Sequence, residues 1–147
     1  MKKITLILLT LFPLFANADF TTLSTEQVQD KITQEVVIID VRRQDEYNKY
    51  GVIAGAHKLT FFDERGNYNA KKWLEDLAKI VKTKDTPFIL VCAHAIRTNT
   101  IGNFLNTKTD YKNIFELKGG IIDSWIDKGL ATTKIPAGKA KPRYKFW

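Results

Sequence analysis

The chain predicts an α/β domain built on a parallel sheet. Three observations carry that prediction. Short runs of branched apolar residues (Val36 to Ile39, Phe88 to Val91, Asn113 to Leu117) alternate with stretches of helical periodicity, the signature of βαβ units. The runs are too continuous for a half-exposed strand and fit strands covered on both faces. The length left after the leader suits one compact domain with a real core and falls short of two.

The elements follow in order. Lys2 and Lys3, the apolar run Ile4 to Phe15 and the small residues Ala16-Asn17-Ala18 have the form of a signal peptide spanning residues 1–18. The run is about a dozen residues against the roughly 20 that a spanning helix needs. Export to the periplasm is therefore expected, with no stable membrane insertion after cleavage. Ser24-Thr25-Glu26-Gln27 is a capping box with Leu23 and Val28 placed as a hydrophobic staple, and it opens a helix to about Thr33. Val36 to Ile39 forms the first buried strand, Gln44 to Tyr50 a short helix, and Ala56 to Phe61 a further strand after the turn residues Gly51 and Gly55. Asn69 caps a helix to about Lys82 with Trp73, Leu77, Ile80 and Val81 inward. Phe88 to Val91 is a doubly buried strand, followed by a helix over about Thr98 to Leu105. Asn113 to Leu117 is another core strand. A last helix, about Ile121 to Lys128, packs Ile122, Trp125 and Ile126 and stops at Gly129. The domain is thus set at 19–131, and residues 132–147 read as a basic C-terminal tail lying on the surface.

Charge narrows the partners. The leader holds two lysines and no acidic residue, so removing it lowers the formal charge from +7 to +5. The basic residues are spread along the chain, which argues against nucleic acid and for small anionic molecules. An envelope protein is the macromolecular partner that a basic tail would suit. There is one cysteine, so no internal disulfide can form. Composition leaves Cys92 three roles: buried small hydrophobe, half of an intermolecular bridge, or working thiol.

Position favours the working thiol. Ligands of open α/β sheets bind beyond the carboxyl ends of the strands, where Cys92 lies. Small residues at Ala93 and Ala95 let the backbone curl so that amides point at the sulfur. The next helix adds the positive end of its dipole, and Arg97 a permanent cation at the rim. All three favour an ionised, accessible sulfur. Sulfur transfer through such a thiolate calls for neither metal nor cofactor. His94 is placed either to contact substrate or to face solvent. His57 reads as a strand or turn residue; with Cys92 and His94 it lacks a fourth ligand for a metal site. Asp40, Arg42 and Glu46 are expected to form a structural polar cluster at a strand end.

Cys92-Ala93-His94-Ala95-Ile96-Arg97-Thr98 resembles the active-site loop of the rhodanese family, in which arginine follows cysteine by five positions. Ile39-Asp40-Val41-Arg42, with Glu46-Tyr47 and Gly51-Val52-Ile53-Ala54-Gly55-Ala56, is similar to the family's first motif. Leu117-Lys118-Gly119-Gly120-Ile121, with Trp125 and Gly129, resembles its closing motif. Three signatures in order are a specific match, covering roughly Leu23 to Leu130. Ala95 departs from the glycine of many members, and Val52 from a common histidine. The resemblance implies a rhodanese-like fold, a five-stranded parallel sheet with helices on both faces. It implies that Cys92 takes a sulfane sulfur from thiosulfate, polysulfide or a related donor and yields it to cyanide or a thiol. Ala93, His94, Ala95, Ile96 and Arg97 would bind the donor. Six residues from Cys92 through Arg97 match the sulfur-handling class rather than the longer loops of related phosphatases and arsenate reductases. A non-catalytic sulfur-carrier or protein-binding module of the same fold is the alternative.

Overall fold

A computed structural model describes residues 20–138; residues 1–19, which hold the expected signal peptide, and residues 139–147, the end of the tail, lie outside them. Five strands form one parallel sheet in the order β1-β5-β4-β2-β3. They are β1 (Phe20–Leu23), β2 (Val37–Asp40), β3 (His57–Lys58), β4 (Phe88–Val91) and β5 (Ile114–Leu117). The α-helices are α1 (Thr25–Thr33), α2 (Gln44–Tyr50), α3 (Ala70–Ile80) and α4 (Ile96–Lys108), and a π-helical turn Ile122–Ile126 closes the domain.

Period-2 alternation along the central strands builds two cores. Ile39, Phe88 and Leu90 face α3 and α4 with Trp73, Leu77, Ile101 and Leu105. Their neighbours Ile38, Ile89 and Val91 face the opposite layer with Val28, Ile122, Trp125 and Ile126. This is the five-stranded sheet with helices on both faces that the sequence implied. Both caps form as expected. Ser24 Oγ accepts the Gln27 amide at 3.3 Å while Gln27 Oε1 accepts the Ser24 amide at 2.8 Å. Asn69 Oδ1 accepts the Lys72 amide at 3.0 Å.

Four differences matter. β1 has no clear sequence signal, because Phe20-Thr21-Thr22-Leu23 lacks a long apolar run; pairing with β5 creates it. The strand expected over Ala56 to Phe61 shrinks to His57–Lys58, after which single bonds from Leu59 to Asp40 and from Phe61 to Val41 carry the chain away from the ladder. α4 begins at Ile96 rather than near Thr98. The closing helix winds as π, with the Asp127 amide reaching the Ile122 carbonyl at 3.0 Å, which still turns the three expected side chains inward.

Candidate active site

β4 is the middle strand, with β5 and β2 as neighbours. Its carboxyl end releases the chain into a loop of four residues, Cys92 to Ala95, before α4 starts. The curl is made at Ala95, which takes the left-handed conformation at φ 62°, a region that disfavours a Cβ. Ala95 is the N-cap of α4 and supplies no side-chain cap. The first-turn amides of the helix therefore have no intrahelical partner and concentrate the positive end of its dipole here.

The closing turn holds the loop from behind. The Ile121 amide donates to the Cys92 carbonyl at 2.8 Å and the Ile122 amide to the Ala93 carbonyl at 3.1 Å. Gly120, at φ 70°, makes this approach possible, since a Cβ there would sit 2.6 Å from the Cys92 carbonyl oxygen. His94 leans on the same segment, its Nδ1 donating to Asp123 Oδ2 at 2.7 Å.

Cys92 is 1% exposed, so the accessible sulfur expected from sequence is instead covered. Its polar neighbour is Thr98 Oγ1 at 3.6 Å. Ala93 is buried in the opposite core. His94, Ala95 and Ile96 border an open cavity of about 420 Å³ together with Asn99, Thr100 and Glu116, and Ile96 is 75% exposed. Arg97 is not a free cation at the rim. Its two terminal nitrogens donate to the two carboxylate oxygens of Glu46, each at 2.7 Å. That bond raises the guanidinium further, with Glu46 as the main cause and the Cys92 sulfur close enough to add to it. Burial pushes the Glu46 carboxyl up, but Arg97 and the Arg43 amide outweigh it and hold it below the ordinary range.

The polar cluster anticipated at the end of β2 divides. Asp40 and Arg42 are both buried and form a fork, Nε to Oδ1 at 2.9 Å and Nη2 to Oδ2 at 2.6 Å, with Nη2 also reaching the Gly51 carbonyl. Burial raises Asp40 against the pull of Arg42. Glu46 leaves this pair to close the active loop. Two contributors escape a reading of the sequence, Glu116 and Thr22, and Thr98 appears there only as the last residue of the loop motif and the start of a helix, with no role assigned. Glu116 is 3% exposed, and its oxygens accept the hydroxyls of Thr98 at 2.7 Å and Thr22 at 2.8 Å. A charged residue inside a doubly covered strand is the one signal that could have found it. Among the described residues, no three His, Cys, Asp or Glu side chains converge as a metal site.

The rhodanese-like domain model matches residues 24–128. The chain belongs to the rhodanese-like family. Rhodanese-like architecture recurs in solved structures. A rhodanese-related protein from Thermoplasma volcanium superposes with a TM-score of 0.56 at 23% identity, covering 76% of this chain and 95% of that one. A protein from Staphylococcus saprophyticus gives 0.54 at 18%, covering 76% and 98%. One from Rhodopseudomonas palustris, described as a possible tyrosine phosphatase, gives 0.52 at 22%, covering 77% and 84%. At such identities the likeness shows the fold alone. No curated protein matches the chain in sequence.

Proposed function

We propose that this rhodanese-like protein is a periplasmic sulfurtransferase that carries sulfane sulfur as a persulfide on Cys92. The observation that supports it most is the placing of the chain's single cysteine at the carboxyl end of the middle strand, beneath a helix N-terminus with no capping side chain. The Cys92 thiolate attacks the outer sulfur of thiosulfate, polysulfide or a related donor. A new S–S bond forms while the donor's S–S bond breaks, and sulfite or a shorter polysulfide departs with the electron pair. Cyanide or a thiolate then attacks the outer sulfur of the persulfide and returns Cys92 as thiolate. The orphan amides at the start of α4 stabilise the charge on the donor and leaving group. Arg97 keeps those amides in place through Glu46 and adds its field rather than a fork. Because the sulfur is covered, donor entry requires that cover to open.

That cover also favours a second reading, a non-catalytic module that binds an envelope protein. Intact-mass analysis after incubation with thiosulfate and, separately, polysulfide separates the two. The expected result is gain of a single sulfur atom, removed by cyanide and missing from Cys92→Ala. A chain that gains none from either donor is a module. Export rests on the leader's composition, and its test is cell fractionation with a mature N-terminus at Asp19.

A further inference from the structure

The active loop borders a cavity that has room for an organic molecule and few groups that hold an anion. His94, Ala95 and Ile96 enclose about 420 Å³ with Asn99, Thr100 and Glu116, within the roughly 300–1,000 Å³ of sites that hold organic ligands. Two of its walls lie one side chain from the sulfur. Thr98 Oγ1 donates to the Ala95 carbonyl at 3.0 Å and to Glu116 Oε2 at 2.7 Å, and it is 3.6 Å from Cys92 Sγ. The described residues lining the cavity include no lysine or arginine. Ile96 is 75% exposed. A lone exposed isoleucine is ordinary on a protein surface; here it gives the cavity beside the thiol an apolar wall.

The described arginines around the loop are already engaged. Both terminal nitrogens of Arg97 go to Glu46, each at 2.7 Å. Arg42 forks on Asp40 and Arg43 on Asp45. His94 Nδ1 lies on Asp123 at 2.7 Å. Thiosulfate is compact and carries two negative charges, and a tight site for it calls for a guanidinium or ammonium whose donors reach its oxygens. The fork to Glu46 takes Arg97 out of that role.

We propose that the preferred donor is an organic hydropersulfide, R–S–SH, whose apolar body lies against Ile96 in this cavity, and that Glu46 turns the loop away from thiosulfate by occupying Arg97. The inference rests on Cys92 being the sulfur carrier and names its donor. The Cys92 thiolate attacks the outer sulfur of R–S–SH. A bond forms between Cys92 and that sulfur as the donor's S–S bond breaks. The thiolate RS⁻ leaves with the electron pair, and the proton on the outer sulfur stays on the Cys92 persulfide. Apolar burial of R supplies binding that thiosulfate and a bare polysulfide chain lack.

The test is the initial rate of sulfur gain by intact mass at low donor concentration, with Cys92→Ala as background. The donors are methyl hydropersulfide, butyl hydropersulfide and thiosulfate; the first two share their chemistry and differ in the body alone. Butyl should load the wild-type chain about tenfold faster than methyl, and Ile96→Ser should bring that ratio close to one. Glu46→Gln frees Arg97 and should raise the thiosulfate rate relative to the methyl donor by about tenfold. Ile96→Lys sets a cation on the same wall at an exposed position. It should raise that relative rate as well, and it carries this arm if circular dichroism shows the glutamine variant unfolded. Equal rates for the two hydropersulfides, or a butyl preference that Ile96→Ser leaves intact, overturn the placing of the body on Ile96. A relative thiosulfate rate unmoved by both Glu46→Gln and Ile96→Lys overturns the role of Glu46. In each of these cases a chain that still loads sulfur keeps the sulfurtransferase reading, whereas a wild-type chain that gains none from any donor overturns that reading and this inference with it.

Discussion

Ala95 carries the tightest local constraint in the active loop. An alanine at φ 62° stores about 1–2 kcal/mol that glycine would not, while glycine costs about 0.4–1 kcal/mol through the freer unfolded chain. The balance predicts that Ala95→Gly stabilises the fold by about 0.5–1 kcal/mol, read as a higher denaturant midpoint at unchanged slope. A lower midpoint would mean that the curl is not strained. The turn itself is legible in the sequence, because small residues at 93 and 95 between a strand and a helix demand a tight curl. Cys92 is legible as the proposed reactive position for the same reason, but its cover is not. Cys92 belongs to the core formed with Ile39, Val41 and Leu90, and no pattern in the sequence separates a covered strand-end thiol from an open one. Glu116 reaches Thr98 only through the alignment of β4 with β5, where Leu90 pairs with Glu116; a single sequence does not display such a register.

Two contacts between elements hold the loop, and they differ in kind. The Arg97–Glu46 fork ties the start of α4 to α2, in partly buried surroundings where a double-mutant cycle should give a coupling of about 1 kcal/mol that falls with added salt. Arg97→Lys keeps the charge and loses the fork, so most of that coupling should vanish. The Glu46 carboxyl sits below its ordinary range in the folded state. The stabilisation it supplies is therefore complete above the unfolded value of about 4.3 and is lost as pH falls through the depressed folded value. Melting temperature should drop more steeply below about pH 4.5 in wild type than in Arg97→Met, and parallel curves would remove the pair from the stability account. The second contact is backbone against backbone. Gly120→Ala places a methyl against the carbonyls of Cys92 and Ala93 in a left-handed conformation, with an expected loss of about 3–5 kcal/mol and a disordered loop. The closing Gly119-Gly120 pair is visible in the sequence as part of a motif. Its purpose is not, since the glycine serves a segment nearly thirty positions earlier. Helix type also escapes the pattern, because the inward set Ile122, Trp125 and Ile126 suits α and π winding alike.

At the scale of the whole molecule, the sheet's carboxyl edge is finished by a segment beyond the family match at residue 128. The Thr132 hydroxyl donates to the Tyr50 carbonyl at 2.6 Å, the Thr133 amide to the Val52 carbonyl at 2.9 Å, and the Val52 amide to the Thr133 hydroxyl at 3.1 Å. This strap crosses Gly51, where any Cβ would meet Thr132, Thr133 and the Lys134 amide. The carbonyl of Gly51 takes Arg42 Nη2 at 2.6 Å, and Arg42 is wholly buried on Asp40. The strap therefore covers the site at which a buried ion pair is anchored, and losing the cover lets water reach charges whose mutual fit depends on its absence. Truncation after Ala131 removes these three hydrogen bonds and the one from the Gly138 amide to the Gly129 carbonyl at 2.7 Å, each worth about 1 kcal/mol, and should lower the melting temperature by several degrees. None of these hydrogen bonds reaches the loop from Cys92 to Ala95. Sulfur loading of the truncated chain at low temperature should therefore stay within about twofold of wild type, a change too small to register as a shift in barrier. Loss of loading at a temperature where the truncated chain is still folded would show instead that the strap supports the loop itself, through α2 and the Glu46–Arg97 fork.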